Sequence, residues 1–110
     1  MPILETTIAN SATESSPAIE VGDYKFFVIQ TDDNFDGSTL TAKAVDDGSS
    51  LTTKSDDGTT QSVLAITVGA GEVVIPVGEL ATAMAALDKI TFTSDGAQSS
   101  GATVITVRAK

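Results

Sequence analysis

One short stretch of this sequence has the spacing of a known ligand set: Asp32-Asp33-Asn34-Phe35-Asp36-Gly37. Asp32, Asn34 and Asp36 stand at positions 1, 3 and 5 of a calcium loop of the D-x-[DN]-x-[DN]-G kind, with Gly37 at position 6, where such a loop turns sharply. Position 12 should be a bidentate Glu, and here it is Lys43. The helix that should follow is also missing, because residues 38–45 alternate as a strand does. A strand-flanked Asp loop can still hold a cation weakly, but the favoured reading is an acidic turn between strands. No metal or other cofactor is expected.

Other reactive spacings fall away on inspection. The pairs Asp32/Asp33, Asp46/Asp47 and Asp56/Asp57 are adjacent residues. Neighbours on a strand point to opposite faces, so such a pair makes no catalytic dyad. The string Ser50-Leu51-Thr52-Thr53-Lys54 puts its Lys at i+4, one place too far for a Ser-x-x-Lys nucleophile. The chain has no His and no Cys, so the commonest general base and every thiolate chemistry are lacking. These residues point away from an enzyme.

Length and charge narrow the classes further. The 110 residues are enough for one domain with a modest core. Fifteen acids against six bases give a net charge of −9. That disfavours nucleic acid, whose phosphates need clustered Lys and Arg, and it disfavours anionic membranes. Met1-Pro2-Ile3-Leu4-Glu5 has neither the basic start nor the apolar run of a secretory signal. No stretch approaches the roughly 20 apolar residues of a membrane span. Synthesis in a cytoplasm is the expectation.

The elements that must position any site are strands. Residues 1–17 are polar and irregular, and they read as an extended N-terminal arm anchored by Ile3, Leu4 and Ile8. Residues 18–110 read as the β domain. Period-2 alternation marks strands at 18–21, 24–30, 38–45, 62–68, 72–77, 89–94 and 102–109, with a weaker one at 51–54. Asp-Gly pairs at 36–37, 47–48, 57–58 and 95–96 punctuate them, supplying the positive φ that tight hairpins need. Gly69-Ala70-Gly71 reads as a tight reversal. Pro76 lacks an N–H, so its strand should lie at an edge. Leu80, Met84 and Leu87 recur at helical spacing, which predicts a short helix near 79–87 crossing between sheets. Short strands at about ten-residue spacing spell an all-β fold, an antiparallel β-sandwich of immunoglobulin-like or jelly-roll-like kind.

The alternation assigns Phe26, Val28, Leu40, Leu64, Ile66, Val73, Ile75, Ile90, Phe92, Ile105 and Val107 to the core. It leaves Phe27, Ile29, Val63, Ala65, Val74 and Val104 on the solvent side. A monomer rarely exposes a large contiguous apolar patch. If they cluster, these residues mark an oligomer or docking surface; otherwise the arm or the 79–87 segment covers them. The candidate partner-binding residues are therefore Ile3, Leu4, Ile8, Phe27, Val63, Val74 and Val104.

Residues 18–30, followed by Phe35-Asp36-Gly37-Ser38-Thr39-Leu40-Thr41-Ala42-Lys43-Ala44 and then Asp46-Asp47-Gly48, resemble a pattern in small virion structural proteins of tailed bacteriophages. There a hydrophobic strand precedes a Phe-Asp-Gly-[Ser/Ala]-Thr-[Val/Leu]-Thr strand and an Asp-Gly turn. The resemblance covers about residues 18–60, and a Trp-containing strand usual after the turn is replaced here by Leu51-Thr52-Thr53. It implies a head decoration, or cement, protein on the capsid surface, with the major capsid protein and copies of itself as partners, as a homotrimer. It carries no catalytic residues. The alternative is an immunoglobulin-like binding module of a phage tail or bacterial surface structure, contacting protein or carbohydrate. The scarcity of exposed aromatics weighs against sugar stacking.

Overall fold

A computed structural model describes residues 2–52 and 64–110 of the chain. The expected turn at 55–60, Lys54 and Val63 lie outside those residues. The described residues form β1 (Ile3–Ile8), β2 (Ser15–Ser16), β3 (Ile19–Glu20), β4 (Phe27–Gln30), β5 (Thr39–Asp46), β6 (Ser49–Leu51), β7 (Ala65–Thr67), β8 (Val73–Val74), α1 (Glu79–Ala86), β9 (Lys89–Ser94) and β10 (Thr103–Ala109). Two antiparallel sheets pack as a β-sandwich. The first has the order β2-β1-β10-β4-β8; the second has the order β3-β9-β5-β6, with β7 also paired to β5.

The Thr, Val and Ile content makes these segments strands, and the pairing registers decide which faces meet. In β10 the alternation is strict: Thr103, Ile105, Val107 and Ala109 are buried, and the residues between them face out. Opposite β10, β4 presents Ile29 to Val107 and Phe27 to Ala109. In the second sheet Leu40 and Ala42 of β5 meet Ser94 and Phe92 of β9. The inner faces of both sheets, with Val21, Phe35, Leu64, Ile66, Val68 and Met84, make one core. The short helix is present, and it carries the chain from β8 in the first sheet to β9 in the second. Met84 and Ala81 face the core from it, with Leu80 and Leu87 packed alongside. Glu79 in its first turn is of the sign that a helix N-terminus favours.

Several expectations need correction. The N-terminal segment is not a free arm. β1 lies inside the first sheet, paired with β10 from Ile3↔Arg108 to Ile8↔Thr103, and with β2 on its other side. Ile8 is fully buried and Leu4 packs on the core, so their role is internal. The chain then reaches over to the second sheet: the N–H of Ser94 donates to Thr13 carbonyl oxygen at 2.8 Å, and the N–H of Phe92 donates to Ser15 Oγ at 2.9 Å. The free backbone edge of β10 explains the difference, because an extended segment beside it satisfies a whole row of donors and acceptors at once.

Strand β4 has the opposite phase to the one expected. Phe27 and Ile29 are buried, whereas Phe26 is 69% exposed and Val28 is half-buried on the outer side. Both phases of residues 24–30 are apolar, so alternation could not choose between them. Register with β10 did, and a one-residue slip reverses every side chain. The same holds for β8. Val74 stands opposite Ile29 and turns inward with it, so Val73, Ile75 and Val77 face out.

Of the Asp-Gly turns, Asp47-Gly48 is a two-residue hairpin between β5 and β6, with φ of 49° and 84°. Both positive angles are what a type I′ turn demands. Asp36-Gly37 and Asp95-Gly96 lie in longer loops and do different work.

Candidate functional site

The loop after β4 and the loop after β9 meet at one end of the sandwich, and three carboxylates tie them together. Asp36 accepts from the backbone N–H groups of Ser99 and Ser100 at 2.8 and 2.9 Å, and from both serine hydroxyls at 3.3 Å. Asp95 accepts from the N–H and hydroxyl of Ser38 at 2.8 and 2.6 Å, and from the N–H of Thr39 at 3.2 Å. Asp32 accepts from the hydroxyl of Thr103, from the N–H of Val104 at 2.9 Å, and from the N–H of Asn34 at 3.0 Å.

Donation to a carboxylate favours its charged form. The backbone N–H groups of Ser99 and Ser100 hold Asp36 below its usual range, and the Ser38 hydroxyl and N–H do the same for Asp95. Partial burial pushes Asp32 up, but its three donors outweigh that and lower it overall. Asp32 and Asp36, which share the calcium-like spacing, thus turn to different partners: Asp32 to β10, Asp36 to the 99–100 turn. Lys43, at the twelfth position, lies within strand β5 rather than in a loop. The arrangement is a clasp between loops.

Of the acid pairs, Asp56/Asp57 lies outside the described residues, and Asp32/Asp33 and Asp46/Asp47 fall in or beside turns rather than along a strand. Asp47 is a turn residue and Asp46 ends β5. A different carboxylate, Glu14, gathers hydroxyls that sequence spacing could not bring together. Ser50 and Thr91 both donate to Glu14 Oε2, the latter at 2.8 Å, at the wall of a polar hollow of about 420 Å³. The Ser50 hydroxyl chiefly, then Thr91 and the Lys43 charge, hold Glu14 below its usual range despite some burial. A general base working near neutrality needs the reverse shift.

The apolar residues make a more distinctive surface. Six large hydrophobic side chains stand exposed among the described residues: Ile3, Phe26, Leu51, Val73, Ile75 and Val77. All but Leu51 belong to the outer side of the first sheet or to the segment that continues its edge strand β8. The registers set them in rows: Ile3–Arg108–Val28, and Glu5–Thr106–Gln30–Val73. Beyond β8 the chain leaves the sheet at Pro76, which is buried. Residues 75–78 diverge from the start of β4, and a groove of about 530 Å³ opens between them. Phe26, Tyr24, Ile75 and Val77 line it, with the small side chains Ala81 and Ala85 of α1 on its other wall. The outer side of the second sheet contrasts with this, carrying Thr39, Thr41, Lys43, Thr91 and Thr93.

Of the residues first singled out for partner contact, the structure leaves Ile3 exposed and Val104 half-buried on the outer face. Leu4, Ile8, Phe27 and Val74 belong to the core or pack on it, and Val63 lies outside the described residues. The exposed residues that replace them are Phe26, Val73, Ile75 and Val77, of which the alternation assigned Phe26, Val73 and Ile75 to the core. For the 75–77 stretch the available signal was Pro76, which cannot continue a paired strand and lies just past the end of β8. The chain matches no protein family model, and neither a curated protein nor a solved structure is significantly similar to it.

Proposed function

We propose that this chain is a structural docking protein, specifically a decoration protein that binds the outer surface of a tailed-phage head and stabilises it. The observation that carries the reading is the concentration of exposed apolar side chains in and beside the groove between β4 and residues 75–78. An antiparallel sheet normally keeps one face polar and solvated. Large apolar side chains left exposed together beside an open groove are built to be covered. Phe26, at 69% exposure, is an aromatic anchor of the kind that dominates protein–protein contacts. The resemblance of residues 18–60 to virion proteins supplies the specific partner, the major capsid protein.

The experiment is particle binding. The purified chain is mixed with expanded heads assembled from the major capsid protein encoded in the same genome, sedimented, and imaged by electron microscopy. Regular added density on the heads supports the reading, and Phe26→Asp should remove it. A chain that leaves such heads bare, or a genome with no capsid protein, overturns it.

A further inference from the structure

The groove has a main-chain side as well as an apolar lining. Phe26 and Lys110 exchange two backbone hydrogen bonds, at 3.0 and 2.9 Å. In an antiparallel ladder the next residue then turns its N–H and C=O to the opposite side. Those groups of Phe27 therefore point away from β10, into the groove that Phe27 helps to line. The register Ile29↔Val74, carried two residues on, sets Pro76 opposite Phe27. Pro76 has no N–H to give, and among the described residues no backbone hydrogen bond joins 75–78 to Phe27. The ladder stops there, leaving a main-chain donor and acceptor unmatched on a residue only 1% exposed. Buried main-chain groups are nearly always paired. Lys25 is the one charged side chain on the groove's lining, and among the described residues it makes no ion pair.

We propose that the groove takes an extended segment of the major capsid protein as an added strand, paired to the main chain of Phe27 and carrying one acidic side chain against Lys25. An antiparallel strand exchanges both bonds with a single residue opposite, so one partner residue satisfies the Phe27 N–H and C=O together. That residue's side chain falls on the inner side of the sheet, as Phe27's does, where the small Ala81 and Ala85 leave room for an apolar group. Its neighbours in the segment fall on the outer side, beside Phe26. Charge narrows the occupant. A second copy of the chain brings another −9 and is repelled. Asp23 and Glu79 adjoin the lining residues Tyr24 and Gly78, so a segment rich in acids is repelled as well. A single carboxylate placed at Lys25 is the complement of this lining. The inference rests on the docking reading and adds how the groove holds its partner.

A nuclear magnetic resonance titration of the nitrogen-labelled chain tests it with no heads present. The probe is the peptide Ser-Val-Ser-Val-Ser-Glu-Ser, blocked at both ends, whose Glu falls opposite Lys25 when its second Val faces Phe27. The expected result is a shift of the Phe27 amide signal and slower hydrogen exchange there, with exchange at Ile29, already paired to Val74, unchanged. The same peptide with Lys in place of Glu should bind about fivefold more weakly, the worth of one exposed charge pair. Lys25→Glu, at an exposed position, should reverse that preference. No response at Phe27 up to about 1 mM peptide overturns the added strand. So does equal affinity for the two peptides, or self-association of the wild-type chain that Phe26→Asp abolishes, which would seat a second copy in the groove. Heads that bind while the peptide does not overturn the added strand and leave the docking reading standing. A peptide that binds while heads stay bare overturns that reading, and with it the capsid protein as the source of the strand.

Discussion

Asp36 and Gln98, 62 residues apart, hold each other twice: the Asp36 N–H donates to Gln98 Oε1 at 2.9 Å, and Gln98 Nε2 donates back to the Asp36 carbonyl oxygen at 3.1 Å. Gln98 is 1% exposed. Its amide behaves as a length of backbone inserted between the two loops, pairing Asp36 as a neighbouring strand would. The Asp36 side chain meanwhile reaches the 99–100 turn, so one residue fastens the junction with both its main chain and its carboxylate.

Gln98→Ala leaves the Asp36 N–H without its partner in a partly buried position. An orphaned donor of this kind costs about 1–3 kcal/mol. Urea unfolding should show that loss in midpoint with little change in slope.

The clasp also sets an acid limit. Asp36, Asp95 and Asp32 have folded values below the ordinary aspartate value of 3.8, so the folded state binds fewer protons than the unfolded state there. Their stabilisation is complete above the unfolded value and disappears as pH falls through the lowered folded values. Melting temperature should therefore fall as pH drops below about 4. In Asp36→Asn with Asp95→Asn, the melt should be lower near neutrality and flatter across that window.

The phase of β4 is open to a direct comparison. Phe27→Ala should cost about 3–5 kcal/mol, as for a fully buried aromatic. Phe26→Ala should change stability by no more than about 0.5 kcal/mol, as for surface positions. The reverse order in chemical denaturation would put β4 in the other register.

Calcium should bind no more tightly than about millimolar, the range of weak extracellular sites. The reason is structural, since the oxygens of Asp32 and Asp36 already accept from Thr103, Val104, Ser99 and Ser100. Calorimetric titration at neutral pH reads this directly, and micromolar binding would mean that the clasp opens to take the ion.

Removing the groove's apolar lining should separate docking from folding. Val77→Asp lies at a side chain 73% exposed, so the melting temperature should stay within a few degrees while head binding is lost. A variant that unfolds instead would place Val77 in the core.

Much of the fold was legible in the chain itself. Thr-rich alternation in 38–45 and 102–109 has one apolar phase and one polar phase, so the buried face of β5 and β10 could be read directly. The same holds for Ile90 and Phe92, for Leu64 and Ile66, and for the helix near 79–87, whose stripe repeats at a helical period. Asp47-Gly48 could be recognised as a hairpin because its φ requirement is local. Calcium spacing at 32–37 was equally visible, and Lys43 in a strand was reason enough to doubt it. What the residues could not decide alone were choices between equivalent local options. Tyr24 to Gln30 and Val73 to Val77 are apolar in both phases, and only pairing with β10 and β4 selected Phe27, Ile29 and Val74 for the interior. Residues 3–8 have no pattern strong enough to distinguish an arm from a strand, and the open edge of β10 made them a strand. The clasp and the groove are products of topology: Asp36 meets Gln98, and Pro76 falls opposite Phe27, because antiparallel pairing brings distant segments together at distances that sequence spacing does not encode.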